Sequence, residues 1–204
     1  MAGKRQSKPP SGASGRAASA ILQLKISLVG ILPPIWRRLL VPGNLRLSDL
    51  HQVIQVAFGW TNSHLHQFVI AGQRFSQPQD FDEGFLDEAE VTVSETVGAS
   101  VKRFSYIYDF GDDWRHEIVI EKVIGVDAGL VRSRCLAGRR NLPPEDCGGP
   151  SGYAELLEAI SDSRHPKHAA TRKWLGSTFD PEEFDIEKVN AALAAVRARR
   201  VWVQ

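Results

Sequence analysis

A chain of 204 residues with 43% hydrophobic and 24% charged residues has the composition of an ordinary globular protein. Its formal net charge of +1 gives no strong attraction to nucleic acid or to a membrane surface, and no uncharged stretch approaches the ~20 apolar residues of a membrane helix. The chain has two cysteines, Cys135 and Cys147, and no secretory signal, so we expect a cytoplasmic protein with reduced thiols.

The first 20 residues differ in composition from the rest of the chain. They carry Lys4, Arg5, Lys8 and Arg16 and no acidic residue, which leaves a net charge of −3 (+1 minus +4) on residues 21–204. The segment is rich in Ser, Gly, Ala and Pro, whose burial cannot offset the entropy lost on ordering. We therefore expect a disordered basic tail over residues 1–20 and a single domain over residues 21–200.

Extended segments with alternating apolar and polar side chains fill the first two thirds of that domain. The predicted strands are residues 22–28, 35–41, 64–70, 73–75, 101–110, 114–124 and 126–134. The first two flank a Pro-Pro turn and are predicted to pair as a hairpin. The acidic stretch 76–90 is predicted to be a solvated loop, and the Gly- and Pro-rich stretch 135–150 is predicted to be a loop as well.

Helical periodicity occurs once between strands and three times near the C-terminus. Ser48 is predicted to cap a helix with one apolar face, and Gly59 is suited to end it. Further helices are predicted at 152–163, 166–175 and 185–199. This segregation of strands and helices favours an α+β fold, a mostly antiparallel β-sheet with one helix after the first hairpin and a C-terminal group of helices packed on it.

The stretch YDFGDDWRH, residues 108–116, joins the two strongest strands. A two-residue loop would pair apolar with charged side chains, whereas a three-residue loop at 111–113 pairs one aromatic face with another. We therefore predict the three-residue loop. The predicted pairs are Phe110 with Trp114, Tyr108 with His116, Tyr106 with Ile118, and Asp109 with Arg115.

Several strings along the chain resemble a known family. They are PPIWRRLLVPGNLRLSDLHQVIQVAFGW, SHLHQFVI, YDFGDDWRHEI, CLAGRR followed by PPEDCGGPSGY, KWLG and FDPEEFD. Together, over residues 22–189, they resemble the Ri-plasmid "ORF three"-like family of plasmid and mobile-element passenger proteins, some of which are labelled "TnpR". The resemblance implies an α+β fold and a bacterial cytoplasmic setting, and it carries no activity with it. Nothing in the chain resembles a serine recombinase.

The histidines are the strongest chemical lead in the sequence. His64 and His66 project from one face of a predicted strand, about 6.5–7 Å apart by strand rise. They could bind one divalent metal with Asp109 and Asp112, either in a metal-dependent hydrolase or in a structural site. The alternative is that both histidines lie in or beside the core, bonded to neighbours. His51 is a further candidate.

The acidic tip of the hairpin has two interpretations. Asp109, Asp112 and Asp113, together with His116, are candidates for a catalytic or cation-binding role, because three acids at one tip repel each other without a cation. The alternative is ordinary turn chemistry, with Asp109 in a cross-strand ion pair with Arg115 and His116 packed against aromatic rings.

Two weaker signals concern a thiol and a basic patch. Cys147 could be reactive, but neighbouring Glu145 and Asp146 would raise its pKa, which argues against a nucleophile. Nucleic acid could be bound by an aromatic and basic patch, which is disfavoured by the net acidic domain. The patch would contain Trp36, Arg37, Arg38, Arg132, Arg134, Arg139 and Arg140.

These patterns favour a non-enzymatic binding or accessory module carried by mobile elements. It would bind a protein or a small ligand through the sheet face and the loops that bear His and Asp residues. The rival hypothesis is a metal-dependent hydrolase that uses His64, His66, Asp109 and Asp112, and a third is a nucleic-acid-binding accessory protein. No organic cofactor is predicted, and a divalent metal is the one cofactor considered.

Overall fold

The computed structural model describes residues 20–77, 84–98, 100–125, 132–176 and 179–196. The strands within these ranges are β1 (Ile21–Leu28), β2 (Trp36–Pro42), β3 (His66–Ile70), β4 (Gln73–Ser76), β5 (Phe85–Asp87), β6 (Arg103–Tyr108), β7 (Trp114–Ile124) and β8 (Arg134–Arg139). The helices are α1 (Leu47–Phe58), α2 (Val93–Val97), α3 (Gly149–Ser161), α4 (His168–Leu175) and α5 (Ile186–Ala195).

All of these strands belong to one sheet, in the order β5-β4-β3-β6-β7-β1-β2-β8. Every neighbouring pair is antiparallel except β4 with β5. The predicted α+β architecture with a mostly antiparallel sheet is therefore confirmed, as is the hairpin of β1 and β2. The predicted tail at 1–20 lies almost entirely outside the described residues.

The two faces of the sheet differ in burial. Side chains along β1 and β2 alternate between buried and partly exposed, so one face is covered and the other is open. The covered face shares one hydrophobic core with buried side chains of α1, α2, α3 and α5, among them Leu50, Val93, Tyr153 and Leu193. The helices therefore form a second layer on one side of the sheet. No helix in the described ranges combines the length and the apolar character that a membrane crossing requires.

Helix α1 begins one residue before the predicted cap. Arg46 occupies the N-cap position without a side-chain hydrogen bond, and Ser48 lies inside the helix. The backbone N–H of Leu47 donates to the carbonyl of Val91, and that of Ser48 donates to the carbonyl of Glu88. Tertiary contacts thus satisfy the free N–H groups that a capping side chain would otherwise satisfy. Gly59 ends the helix in the left-handed conformation, φ 75°, as predicted.

The register of β6 and β7 differs from the prediction by two residues. Tyr108 pairs with Trp114 and Tyr106 with His116, so the connecting loop has five residues, 109–113. Asp109 adopts a left-handed φ of 56°, and its carbonyl accepts the N–H of Asp113 at 2.6 Å, which closes the loop early. Because strands have a period of two, the shift leaves the predicted aromatic face intact.

The same shift changes the surroundings of three predicted partners. Phe110 lies in the loop with 41% of its surface exposed and does not pair with Trp114. Arg115 lies opposite Ile107 and forms an ion pair with Asp113 at 2.8 Å, so the predicted pair with Asp109 is wrong.

The acidic stretch 76–90 is only partly a solvated loop. It contains β5, and Glu88 is 1% exposed, while residues 78–83 lie outside the described ranges. The short helix α2 follows and was not predicted. A reciprocal capping box between Thr92 and Glu95 begins it.

The sequence predicts a loop over residues 135–150, but β8 occupies its first part. Residues 134–139 pair with β2, which would otherwise end the sheet. On the outer side of β8, the side-chain amide of Asn190 accepts the N–H of Cys135 and donates to its carbonyl. An amide from α5 therefore takes the place of a further strand, a contact that local sequence does not reveal. Most of the predicted strand 126–134 lies outside the described residues.

Candidate functional site

The candidate site lies at the end of the sheet where β3 and β7 begin and β6 ends. These strands are antiparallel neighbours, so the segments before His66 and between Tyr108 and Trp114 meet at this end. The backbone N–H of Asp109 donates to the carbonyl of Leu65, which ties the two segments together. The stretch before α3 reaches the same place, because the N–H of Gly148 donates to the carboxylate of Asp112.

His64 lies among three carboxylates at this point. Its Nε2 atom is 3.6 Å from Oδ2 of Asp109, 3.7 Å from Oε2 of Glu145 and 3.1 Å from Oδ1 of Asp146. We call these four residues the His64 group. One ligand atom each from His64, Asp109 and Asp146 lies within 4.8 Å of the others.

Glu145 is held by Thr61, which precedes β3, and by Tyr108, the last residue of β6. Its Oε1 atom accepts the backbone N–H of Thr61 at 2.9 Å and the hydroxyl of Tyr108 at 3.0 Å. Burial, together with the nearby Glu145 carboxylate, raises the pKa of Tyr108 to about 12, so the hydroxyl keeps its proton and donates. The second oxygen, Oε2, is turned toward His64.

Asp109 is held in the same way by its own loop. Its Oδ1 atom accepts the N–H groups of Gly111 at 2.9 Å and Asp112 at 3.3 Å, while Oδ2 faces His64. The residue is 7% exposed, whereas the side chain of Asp146 is 73% exposed. The group is therefore anchored on one side and open to solvent on the other.

Two atoms of the group are buried without a hydrogen-bond partner in the described structure. They are Nε2 of His64 and Oε2 of Glu145. Two atoms bound about 2.1 Å from one zinc ion at a tetrahedral angle lie about 3.4 Å apart. The distances from His64 Nε2 to the carboxylates, 3.1–3.7 Å, bracket that value. The arrangement can thus either hold a cation or pair a protonated imidazole with acids.

The structure separates the two histidines predicted to share a metal. Strand β3 begins only at His66, so its period of two does not extend to His64. His66 Nε2 lies 2.8 Å from Oε2 of Glu88, and both side chains are at most 2% exposed. Two of the four predicted metal ligands, His64 and Asp109, belong to the His64 group. Its other two members, Glu145 and Asp146, were not predicted as ligands.

The other predicted acids have different partners. Asp112 accepts the N–H of Gly148 at 3.1 Å, and Asp113 pairs with Arg115. Both residues hold loops in place and lie outside the three-residue ligand set formed by the described residues. Asp112 packs so closely that a Cβ on Gly149 would overlap its carbonyl oxygen.

His51 belongs to the buried polar network rather than to the open site. Its ring stacks on that of His66 with centroids 3.5 Å apart, and its nitrogens bond the hydroxyl of Tyr106 and the amide oxygen of Asn62. Burial lowers the pKa of His51 to about 3, which keeps the ring neutral.

His116 is also a core residue, which agrees with the alternative that places it among aromatic rings and not with a catalytic or cation-binding role at the acidic tip. It is fully buried, with its ring edge-on to Phe58 and Trp60. Burial lowers the pKa of His116 to about 3. The two-residue register shift places His116 opposite Tyr106 instead of Tyr108.

Two residues of the predicted basic patch, Arg37 and Arg140, are buried in the core. Arg37 is 3% exposed and donates to the carbonyls of Ala57 and Arg140, and burial lowers its pKa to about 10. Arg140 is 3% exposed and bonds Glu182 and the carbonyl of Pro33. Both guanidinium groups hold backbone segments together, so Arg37 and Arg140 cannot belong to a surface patch.

The two cysteines show no sign of an activated thiol. Cys135 is buried in β8, and burial raises its pKa. Burial, followed by the charges of Asp112 and the other nearby acids, raises the pKa of Cys147 to about 12. A thiol in this state is a poor nucleophile.

Glu145 and Asp146 are the site residues that sequence analysis assigned to no site. They were weighed only for their effect on Cys147, although they sit beside it in a Gly- and Pro-rich loop where such acids are free to converge on a site. No local sequence pattern links them to His64, which precedes Asp146 by 82 positions.

Comparison with known proteins supports the resemblance seen in the motifs. A family model described as "Plasmid pRiA4b ORF-3-like protein" matches residues 20–188. The uncharacterized protein y4hQ of Sinorhizobium fredii is 39% identical over 188 residues, which cover 89% of this chain and 96% of that protein. The crystal structure of MM3350 from Methanosarcina mazei Go1, a protein of unknown function, has a TM-score of 0.77 and 37% identity, and the match covers 82% of this chain and 96% of that one.

Proposed function

The chain belongs to the plasmid pRiA4b ORF-3-like family, and from the geometry of its His64 group we propose that it is a binding module that takes a divalent cation there. The observation that carries the proposal is the buried Nε2 atom of His64, which has no hydrogen-bond partner in the described structure and lies 3.1–3.7 Å from three carboxylate oxygens. A buried polar atom without a partner is costly, and a cation shared with the carboxylates would satisfy it.

The ligand types favour certain cations. One imidazole nitrogen with two or three carboxylate oxygens suits Zn²⁺ or Mn²⁺, whereas Mg²⁺ and Ca²⁺ prefer oxygen ligands alone. Tyr108 and Thr61 hold Glu145 from outside the ligand set, as hydrogen-bonded neighbours commonly orient metal-binding carboxylates. Asp146, the most exposed member, would close over the ion once it has bound.

The proposal is tested with full-length protein purified without a metal-affinity tag. After chelation, metal content following dialysis against Zn²⁺ or Mn²⁺ should approach one ion per chain. The melting temperature should rise with metal, because an ion at 100 times its Kd adds about 2.7 kcal/mol of stability.

Substitutions separate a site from adventitious binding. His64→Gln and Asp146→Asn should each abolish the metal-dependent stabilisation. Asp113→Asn is the matched control, since this exposed acid lies on the same loop as Asp109 but outside the group. Absence of stoichiometric metal in the wild type, or equal loss in the control, would rule the site out.

A second function, a metal-dependent hydrolase, is favoured by the openness of the group. The described ligand set supplies three residues, and a catalytic metal site keeps a position open for water or substrate. Metal-dependent hydrolysis of phosphate or carboxylate esters that is lost in Asp146→Asn would support it. Stoichiometric metal without turnover would leave the binding module as the function.

A further inference from the structure

We propose that the open face of the sheet binds single-stranded nucleic acid, with a base stacked on Trp36 and phosphates contacted by Lys25 and Arg139. This surface is separate from the His64 group, and its partner is independent of any cation bound there. It is formed by the polar side chains that alternate with core residues along β1, β2, β6, β7 and β8.

The register places these side chains in two rows that cross the sheet. Residues directly opposite each other on paired strands project to the same face, and neighbouring strands are about 4.8 Å apart. The first row is Arg103, Val119, Lys25, Arg38 and Ala137. The second row is Ser105, Glu117, Ser27, Trp36 and Arg139.

Trp36 is the centre of the surface because basic side chains surround it. The Nζ atom of Lys25 lies 5.3 Å from the centroid of the Trp36 ring, and the guanidinium carbon of Arg38 lies 5.2 Å from it. Arg139 is directly opposite Trp36 on β8. A partly exposed aromatic ring on a sheet, flanked by cations, is the arrangement by which sheet proteins stack unpaired bases.

The acids of this face are already neutralised. Glu117 pairs with Arg103 at 2.9 Å and Glu121 with Arg38 at 2.6 Å. Among the described residues, Lys25 and Arg139 are the cations of these rows that remain outside an ion pair. The face therefore carries a net positive charge at Trp36, although residues 21–204 are net acidic, and phosphates are the complementary partner.

The composition of the surface favours a single strand over a duplex. Stacking on an aromatic side chain requires a base whose face is free, and the bases of a duplex are stacked on each other. For a single strand, each phosphate contact contributes about −0.7 to the slope of the logarithm of the association constant against the logarithm of salt concentration. Two contacts therefore predict a slope near −1.4.

The test measures fluorescence anisotropy of a labelled oligothymidylate with full-length protein, so that the N-terminal segment is present in every variant. Lys25→Gln/Arg139→Gln should weaken binding about tenfold and flatten the salt slope. The matched control is Arg164→Gln/Lys167→Gln, which replaces two exposed basic residues beside α4. It should change neither the affinity nor the salt slope.

A second pair of variants tests stacking. Trp36→Leu should weaken binding about tenfold, whereas Trp174→Leu, at an exposed tryptophan on α4, should not. Absence of binding at low salt, or equal losses in the control variants, would overturn the proposal. Displacement of the oligonucleotide by an equal charge of polyglutamate would also overturn it and would point to an acidic protein partner.

Discussion

The buried pair of His66 and Glu88 gives the sharpest stability prediction. The two side chains meet at 2.8 Å and are at most 2% exposed, while the other carboxylate oxygen of Glu88 is buried without a partner in the described structure. Glu88→Ala would leave His66 buried without its carboxylate. Removing one partner of such a pair costs about 3–5 kcal/mol, so we expect Glu88→Ala to lose that much free energy of unfolding.

The assay is urea unfolding followed by tryptophan fluorescence. Glu90→Ala is the matched control, because that side chain is 76% exposed and lies 3.9 Å from Arg46, so it should cost less than about 1 kcal/mol. Replacing both partners, His66→Leu/Glu88→Leu, should cost less than the sum of the single changes. A Glu88→Ala loss no larger than that of the control would refute the inference that this acid is a core residue.

Two further predictions concern pH and loop packing. Burial lowers the pKa of both His51 and His116 to about 3, below the unfolded value of about 6.5, so the unfolded state takes up protons first on acidification. The free energy of unfolding should therefore be highest above pH 6.5 and fall toward pH 3, by about 2 kcal/mol per histidine at pH 5, and urea titrations that agree at pH 7 and pH 5 would contradict this. Gly149→Ala should destabilise by more than Gly72→Ala, since both positions have positive φ but only the first places a Cβ against the carbonyl of Asp112; equal melting temperatures for the two variants would contradict this.

The sequence predicted faces better than registers. Period-two alternation correctly assigned the aromatic face of β6 and β7, because a slip of two residues moves no side chain to the other face. It missed the five-residue loop because a non-glycine residue, Asp109, adopts positive φ, which few sequence patterns reveal. The carboxylate of Asp109, bonded to the N–H groups of Gly111 and Asp112, stabilises that conformation.

The same alternation indicates that Arg37 faces the core, and the predicted basic patch did not take this into account. Arg37 shares a strand face with Leu39 and Val41, which are buried, whereas Trp36 and Arg38 lie on the other face. Three adjacent residues of a strand cannot form one surface patch, and this much followed from the sequence alone.

The partners of the histidines could not be predicted in this way. His66 meets Glu88 from 22 positions away, and His64 meets Asp146 from 82 positions away. Such contacts depend on sheet order and on where a Gly- and Pro-rich loop returns. Local periodicity contains neither kind of information.

Cation binding at the His64 group is tested most directly by anomalous X-ray scattering from crystals of chelated protein soaked in zinc or manganese. We predict one peak about 2.0–2.2 Å from Nε2 of His64, with oxygens of Asp109 and Asp146 at similar distances. Crystals of wild-type protein without a peak there, or with metal only at other surface groups, would contradict the proposed site.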